Sequence, residues 1–405
     1  MQLSDVPAIV ILLGLAAYMA LAGADFGTGV WELTAPRTAR GMVMRDDIHD
    51  AMGPVWEANH VWLILLLVVC WTAYPTAFAS IFSTLSIPFF FAVVGIILRG
   101  SSYALRAAAI TRREQGVIDS VFSLSSILTP FFLGAAIGGI ASGRVPVGNA
   151  AGDLLTSWVN PTSLVVGAIA VAAAAHLAAV YLAADAAHAG RVGLMKAFRD
   201  RALVSGVAAG ALAIGGLFVV HGDAPQLFSG LTGGAGLVAV VISAVSGLVT
   251  LVLVLDGCYQ PARVAGALAV AAVIAGWAAA QQPYILPGLT IHAAASSRNV
   301  LIAVLLSAGI GALVLVPSLA LLFSLKLRGA FERVIPHERI VPARASHAQR
   351  RRSATLLLLL LAGGAVLTVF AGADWALGLG IGLLLLFVAG GFVLLARDVA
   401  GSPSD

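Results

Sequence analysis

The residues of this chain that could do chemistry stand where charge is costly. Asp25 lies at the end of a long apolar run, within Gly23-Ala24-Asp25-Phe26-Gly27-Thr28-Gly29. Glu57 opens the next run, within Gly53-Pro54-Val55-Trp56-Glu57-Ala58-Asn59-His60-Val61-Trp62, and Arg99 closes a third, within Leu98-Arg99-Gly100. An ionised group in hydrocarbon costs a few kcal/mol even on the mildest insertion scales. Two carboxylates and one guanidinium on consecutive segments can neutralise one another there. Asn59 and His60, just beyond Glu57, extend a polar stripe into the same segment. Acids beside an amide and an imidazole could pass protons along that stripe. The same residues could instead be a buried ion-pair cluster that fixes helix packing. The glycines around Asp25 do not make a phosphate loop, since no Gly-Lys-Ser/Thr follows and no strand precedes them. Close approach of helices explains them better.

The elements that position these groups follow from composition. Of 405 residues, 60% are hydrophobic and 10% charged, against roughly 25% charged in an ordinary soluble domain. A surface with so little charge would be apolar almost everywhere, so lipid is the solvent that suits it. A span takes about 20 apolar residues. Candidate spans lie near 6–24, 54–74, 77–98, 118–141, 161–184, 203–221, 232–255, 264–282, 299–325, 354–371 and 375–396. Pro75, Asn160-Pro161, Gly222 to Pro225, Gly257, Pro283 and Gly372 punctuate them. Pro88, followed by Phe89, Phe90 and Phe91, predicts a kink in the middle of the third span. The runs are too long and too uniformly apolar for barrel strands.

The expected fold is therefore all-α, a polytopic membrane helix bundle of about eleven transmembrane helices. Its orientation follows from the basic residues. With the N-terminus outside, nearly all Lys and Arg fall in loops on the cytoplasmic side, and only Arg144 and Arg298 fall opposite. The C-terminus is then cytoplasmic. Three regions are expected: a transmembrane core over 1–325, a basic cytoplasmic loop over 326–352, and a C-terminal hairpin with its tail over 353–405. The loop holds His337, His347 and the run Arg350-Arg351-Arg352 and reads as a solvated, headgroup-facing segment.

Several classes fall away. The net charge of +4 comes from basic clusters between apolar runs, with no basic stripe interleaved with aromatics, so no nucleic acid is expected. Cys70 and Cys258 form no metal-spaced pair and read as buried small hydrophobes. No metal site is expected. No basic residue precedes the first apolar run, so it does not read as a cleavable signal peptide. His60, His176 and His221 lie in spans or at their ends, but no regularly spaced pair suggests axial haem ligands.

Taken together, the first three spans resemble subunit II of the cytochrome bd-type quinol oxidases. The resemblance rests on the Gly-Ala-Asp25-Phe-Gly segment, on Gly53 through Leu63 with its Trp-Glu-x-Asn-His block, and on Ser86-Ile87-Pro88 leading to Leu98-Arg99-Gly100. Gly276-Trp277 through Gln281-Gln282-Pro283-Tyr284, Leu289-Thr290-Ile291 and Pro317-Ser318-Leu319 extend it to about residue 325.

The resemblance implies a complex in the bacterial cytoplasmic membrane that oxidises quinol and reduces dioxygen to water. Haem b and haem d would belong to a partner, subunit I, and no catalytic residue is expected in this chain. The acids matching Asp25 and Glu57 would serve proton delivery from the cytoplasm, with Asn59, His60 and Arg99 beside them. A structural quinone can also be held by such a subunit, although no residue here matches that role. Residues 326–405 exceed the family pattern and could dock a small accessory subunit or cover a lipid-facing edge. Two other readings compete. A proton-coupled secondary transporter would use the same charges but should show repeats and broken helices at the bilayer midplane. A purely structural subunit would use the acids only for assembly.

Overall fold

The computed structural model describes residues 2–36, 38–52, 56–106, 112–327 and 347–370, with parts of 375–390. The chain divides into two compact units, Met1–Leu319 and Ala320–Asp405. The first is built of α1 (Asp5–Leu33), α2 (Ala39–Met52), α3 (Trp56–Ala73), α4 (Pro75–Thr84), α5 (Ser86–Arg106), α6 (Arg112–Ala141), α7 (Pro161–His188) and α8 (Val192–Asp223). These are followed by α9 (Pro225–Leu231), α10 (Gly234–Leu255), α11 (Tyr259–Gln281), the hairpin β1 (Tyr284–Leu286) and β2 (Leu289–Thr290), α12 (Ile291–Ala294) and the part of α13 (Arg298–Leu327) up to Leu319. In the second unit α14 (His347–Phe370) is described. The residues Arg350-Arg351-Arg352 stand in its first turns rather than in a loop. Residues 328–346, with His337, lie outside the described residues, as does half of the expected span 375–396.

Among the described residues eight helices are long and apolar enough to cross a membrane, and up to nine if the bent pair α3–α4 counts as one span. The chain is thus a polytopic helical membrane protein. The span expected over 77–98 is not one helix. Its first part, α4, turns away from α3 by 120° at Tyr74-Pro75, where proline starts a new helix and cannot continue the old one. The membrane helix begins afresh at Ser86. Pro88 therefore sits in the first turn of α5, where no helical hydrogen bond is lost, and not at a mid-membrane kink. The rings of Phe78, Phe82 and Phe89 stack along this joint, with centroids 4.2 and 4.4 Å apart. The break strands carbonyls at the end of α3, and Ser296 satisfies two of them. Its N–H donates to Ala73 O at 2.8 Å and its hydroxyl to Thr72 O at 2.7 Å. Cys258, expected to be buried, is exposed in the turn after α10, where Gly257 takes a φ of +76°.

Helix α1 is the centre of the first unit, packed by α3, α6, α7 and α11. Every residue from Ala22 to Gly29 is buried, so this stretch meets protein on all sides. Gly27 is what allows it, because a Cβ there would run into the backbone carbonyl of Ala174 on α7. The start of α7 is fixed by its cap. Asn160 Oδ1 accepts from Ser163 N at 2.9 Å, with Pro161 in the first helical position. At that end Arg144 grips Asp223 through two bonds of 3.0 and 2.7 Å. Asp223 also accepts from the backbone N–H and hydroxyl of Thr162, tying the ends of α6, α7 and α8 together.

Candidate functional site

Helix α1 runs on to Leu33, so Asp25 stands two turns inside it and not at its end as the sequence suggests. The buried residues Tyr18, Ala22, Asp25, Gly29 and Glu32 recur at spacings of four, three, four and three. They form one stripe along the helix. Asp25 on this stripe is 8% exposed, Arg99 on α5 is 3% exposed and Asn59 on α3 is 2% exposed.

The three converge. Asn59 Nδ2 donates to Asp25 Oδ2 at 3.0 Å. Arg99 Nη2 donates to the Asp25 carbonyl at 2.9 Å and lies 4.0 Å from Asp25 Oδ1. Arg99 Nε donates to Ser126 Oγ at 3.0 Å, and that hydroxyl in turn donates to Phe122 O at 2.6 Å. The guanidinium also faces the rings of Phe26 and Phe122, 4.9 Å from each centroid. Hydrogen bonds on one edge and π-faces beside it make Arg, with its planar fork, the residue that suits this position. A carboxylate so held retains a nearby countercharge in a region that water does not hydrate freely.

Of the expected site residues, Asp25, Asn59 and Arg99 thus meet. His60, the residue after Asn59, lies among aromatic rings, edge-on to Tyr18 and Phe26 with centroids 6.2 and 6.1 Å away. Tyr18 Oη and Trp62 Nε1, buried in the same region, have no partner among the described residues. Glu57 belongs to the first turn of α3, and its side chain lies outside the described residues. His176 is engaged through Nδ1 with the Ala202 carbonyl at 2.9 Å. Its ring packs so tightly against α8 that a Cβ at Gly206 would meet it.

A second polar cluster was not foreseen. Two turns beyond Asp25, Glu32 is 1% exposed and accepts at Oε1 from, or bonds to, His49 Nε2 on α2 at 3.1 Å. Asp119 on α6 adjoins them and is bonded at Oδ1 by Arg106 Nε at 3.0 Å. Arg106 also reaches Asp46 at 3.2 Å. These residues lie far apart in sequence, and only the repeat of the α1 stripe from Asp25 to Glu32 hints at them.

Buried carboxylates, an arginine and an amide between the helices of a multi-pass bundle define a membrane protein whose interior is polar by design. That class is narrowed by comparison with known proteins. Residues 3–326 match the family described as cytochrome bd terminal oxidase subunit II, and the chain belongs to that family. It is 27% identical over 133 residues to the cytochrome bd ubiquinol oxidase subunit 2 of Bacillus subtilis (strain 168). That stretch covers 33% of this chain and 38% of the relative, well under half of either. The fold is similar to that of a chain in the structure of bd oxidase from Geobacillus thermodenitrificans, with a TM-score of 0.64 and 24% identity. The likeness covers 81% of this chain and 99% of the other.

Proposed function

We propose that this chain is the non-haem subunit II of a cytochrome bd-type oxidase, a complex that oxidises quinol and reduces dioxygen to water. In this reading the haems b and d belong to subunit I. The present chain supports assembly and delivers protons from the cytoplasmic side, with the N-terminus outside and the bacterial cytoplasmic membrane as its place. Residues 1–325 form the core, followed by a basic cytoplasmic connection over 326–352 and a final hairpin. The carrying observation is the buried Asp25, held by Asn59 and Arg99 at the junction of α1, α3 and α5 in a chain of this family. A carboxylate placed so can take up and release a proton while its neighbours stay fixed. Glu57, two residues before Asn59, precedes it on the route, and His60 continues it inward. The transporter reading is not favoured, since the family match carries the oxidase assignment and the break at α3–α4 does not offset it.

The test is the assembled complex carrying Asp25→Asn or Glu57→Gln, assayed for quinol-driven oxygen consumption and for proton uptake in vesicles. The expected result is an intact complex with its visible haem bands and turnover reduced at least about tenfold, as for loss of a proton-transfer group. Unchanged turnover in both variants overturns the proton route. Purification of this chain with no haem-bearing partner overturns the subunit reading.

A further inference from the structure

The cluster at the end of α1 has the makings of a metal site. Glu32, His49 and Asp119 each offer a ligand atom, and the three atoms lie within 4.8 Å of one another. Around a tetrahedral ion bound at about 2.0–2.2 Å, ligand atoms stand roughly 3.4 Å apart. Closing the triad onto an ion therefore takes side-chain adjustments of about an ångström. The bond between Glu32 and His49, at 3.1 Å, is already at that spacing.

Independent support comes from what is left unsatisfied. Glu32 is 1% exposed, yet its Oε2 has no partner among the described residues. Being bonded to the same carbon as the oxygen that faces His49, it belongs to the same locus. His49 is 7% exposed and its Nδ1 likewise has no partner among the described residues. A buried carboxylate with one oxygen unbonded is costly, and a cation is its natural remedy. The charges agree. Glu32 and Asp119 bring two negative charges and Arg106 one positive, which leaves one negative charge when His49 is neutral, while Asp46 is largely exposed. Arg106 is placed to orient Asp119 from outside the triad, as outer partners of metal ligands do.

We propose that Glu32, His49 and Asp119 bind one divalent transition-metal cation of the zinc type, joining α1, α2 and α6. One imidazole with two carboxylates suits zinc, whereas magnesium and calcium favour oxygen alone. The ion neutralises the cluster and pins α2, a polar helix, to α1 and α6. A fourth position remains for water or for Glu32 Oε2.

The probe is zinc chloride, added to the assembled complex after chelator treatment and measured by equilibrium dialysis with elemental analysis and by zinc K-edge absorption. The expected result is one zinc per chain at micromolar free zinc that His49→Gln and Asp119→Asn each weaken at least about tenfold. The edge spectrum should show one imidazole nitrogen with oxygen neighbours. If His49→Gln does not assemble, Asp119→Asn and the spectrum of the unmodified complex decide. No binding at micromolar zinc, or binding that both assembled variants leave unchanged, overturns the site.

Discussion

Replacing Arg99 by Met should destabilise the protein far more than its lost contacts suggest, and a second substitution should restore most of the loss. Arg99 and Asp25 are both almost wholly buried, with Nη2 and Oδ1 4.0 Å apart. At that separation two unit charges attract by about 4 kcal/mol at an effective dielectric constant near 20. Removal of both from water offsets much of that gain, so the intact pair is only modestly favourable. Losing Arg99 alone is different. Asp25 would keep Asn59 but lose its cation, and breaking a buried pair in this way costs about 3–5 kcal/mol. Asp25→Asn on the Arg99→Met background removes the orphaned charge and leaves an amide oxygen for Asn59. Asp25→Asn alone also breaks the pair, leaving Arg99 uncompensated, so restoration requires a coupling larger than that cost, about 3–5 kcal/mol or more in the restoring direction. The assay is a four-member cycle of the assembled complex in detergent, followed by denaturant or thermal unfolding. The double variant should unfold later than Arg99→Met alone. Strict additivity would show that the two charges do not sense each other and would refute the electrostatic account of the site.

Two other consequences are open to direct measurement. Gly27→Ala should lower the melting temperature, because the new methyl meets the rigid Ala174 carbonyl and overpacking costs about 1–3 kcal/mol. Gly23→Ala, where no atom lies within 4 Å of the added Cβ, should be neutral or gain up to about 1 kcal/mol in helix propensity. In the loop between α6 and α7, hydrogen bonds from the Thr156 N–H, the Leu155 N–H and the Thr156 hydroxyl hold the exposed Asp153 carboxyl below the usual carboxylate range. A carboxyl lowered in the folded state adds its stabilisation above its unfolded value and loses it as pH falls through the folded one. Hydrogen exchange at Leu155 and Thr156, corrected for the intrinsic rate, should thus stay protected at neutral pH and speed up only in strong acid. An onset above pH 5 would contradict the assignment.

The membrane bundle was legible because its signal is local and additive. Twenty apolar residues announce a span whatever surrounds them, and α7, α10 and α11 fall within a few residues of where the sequence places them. Joints were read less well. Pro75 and Pro88 look alike as helix breakers in an apolar run, yet one opens α4 and the other lies in the first turn of α5. Deciding between a kink and a fresh start depends on whether the stranded carbonyls find donors, and those come from Ser296, more than two hundred residues away. The length of α1 was underestimated for a related reason. Asp25 looks like the end of a span when it must face lipid, but α3, α6 and α7 shelter it, and the helix continues to Leu33.

The same reasoning explains why one polar cluster was visible and the other was not. Asp25, Glu57 and Arg99 are conspicuous because each interrupts an apolar run, and hydropathy registers the interruption. Glu32, His49 and Asp119 sit where runs end, among residues that any loop could supply. What makes Glu32 and His49 unusual is burial, which α2 brings about by carrying His49 back over the end of α1. Yet the two clusters share one physical origin. An α-helix presents nearly the same face at every second turn, and seven residues after Asp25 that face carries Glu32, about 10 Å further along at 1.5 Å per residue. A carboxylate at each of these levels calls for its own cation. Arg99 bonds Asp25 at the first, whereas at the second Arg106 is already shared between Asp46 and Asp119. The deficit at the second level is what makes a bound divalent ion the better completion there, and a proton-carrying group the better reading of Asp25.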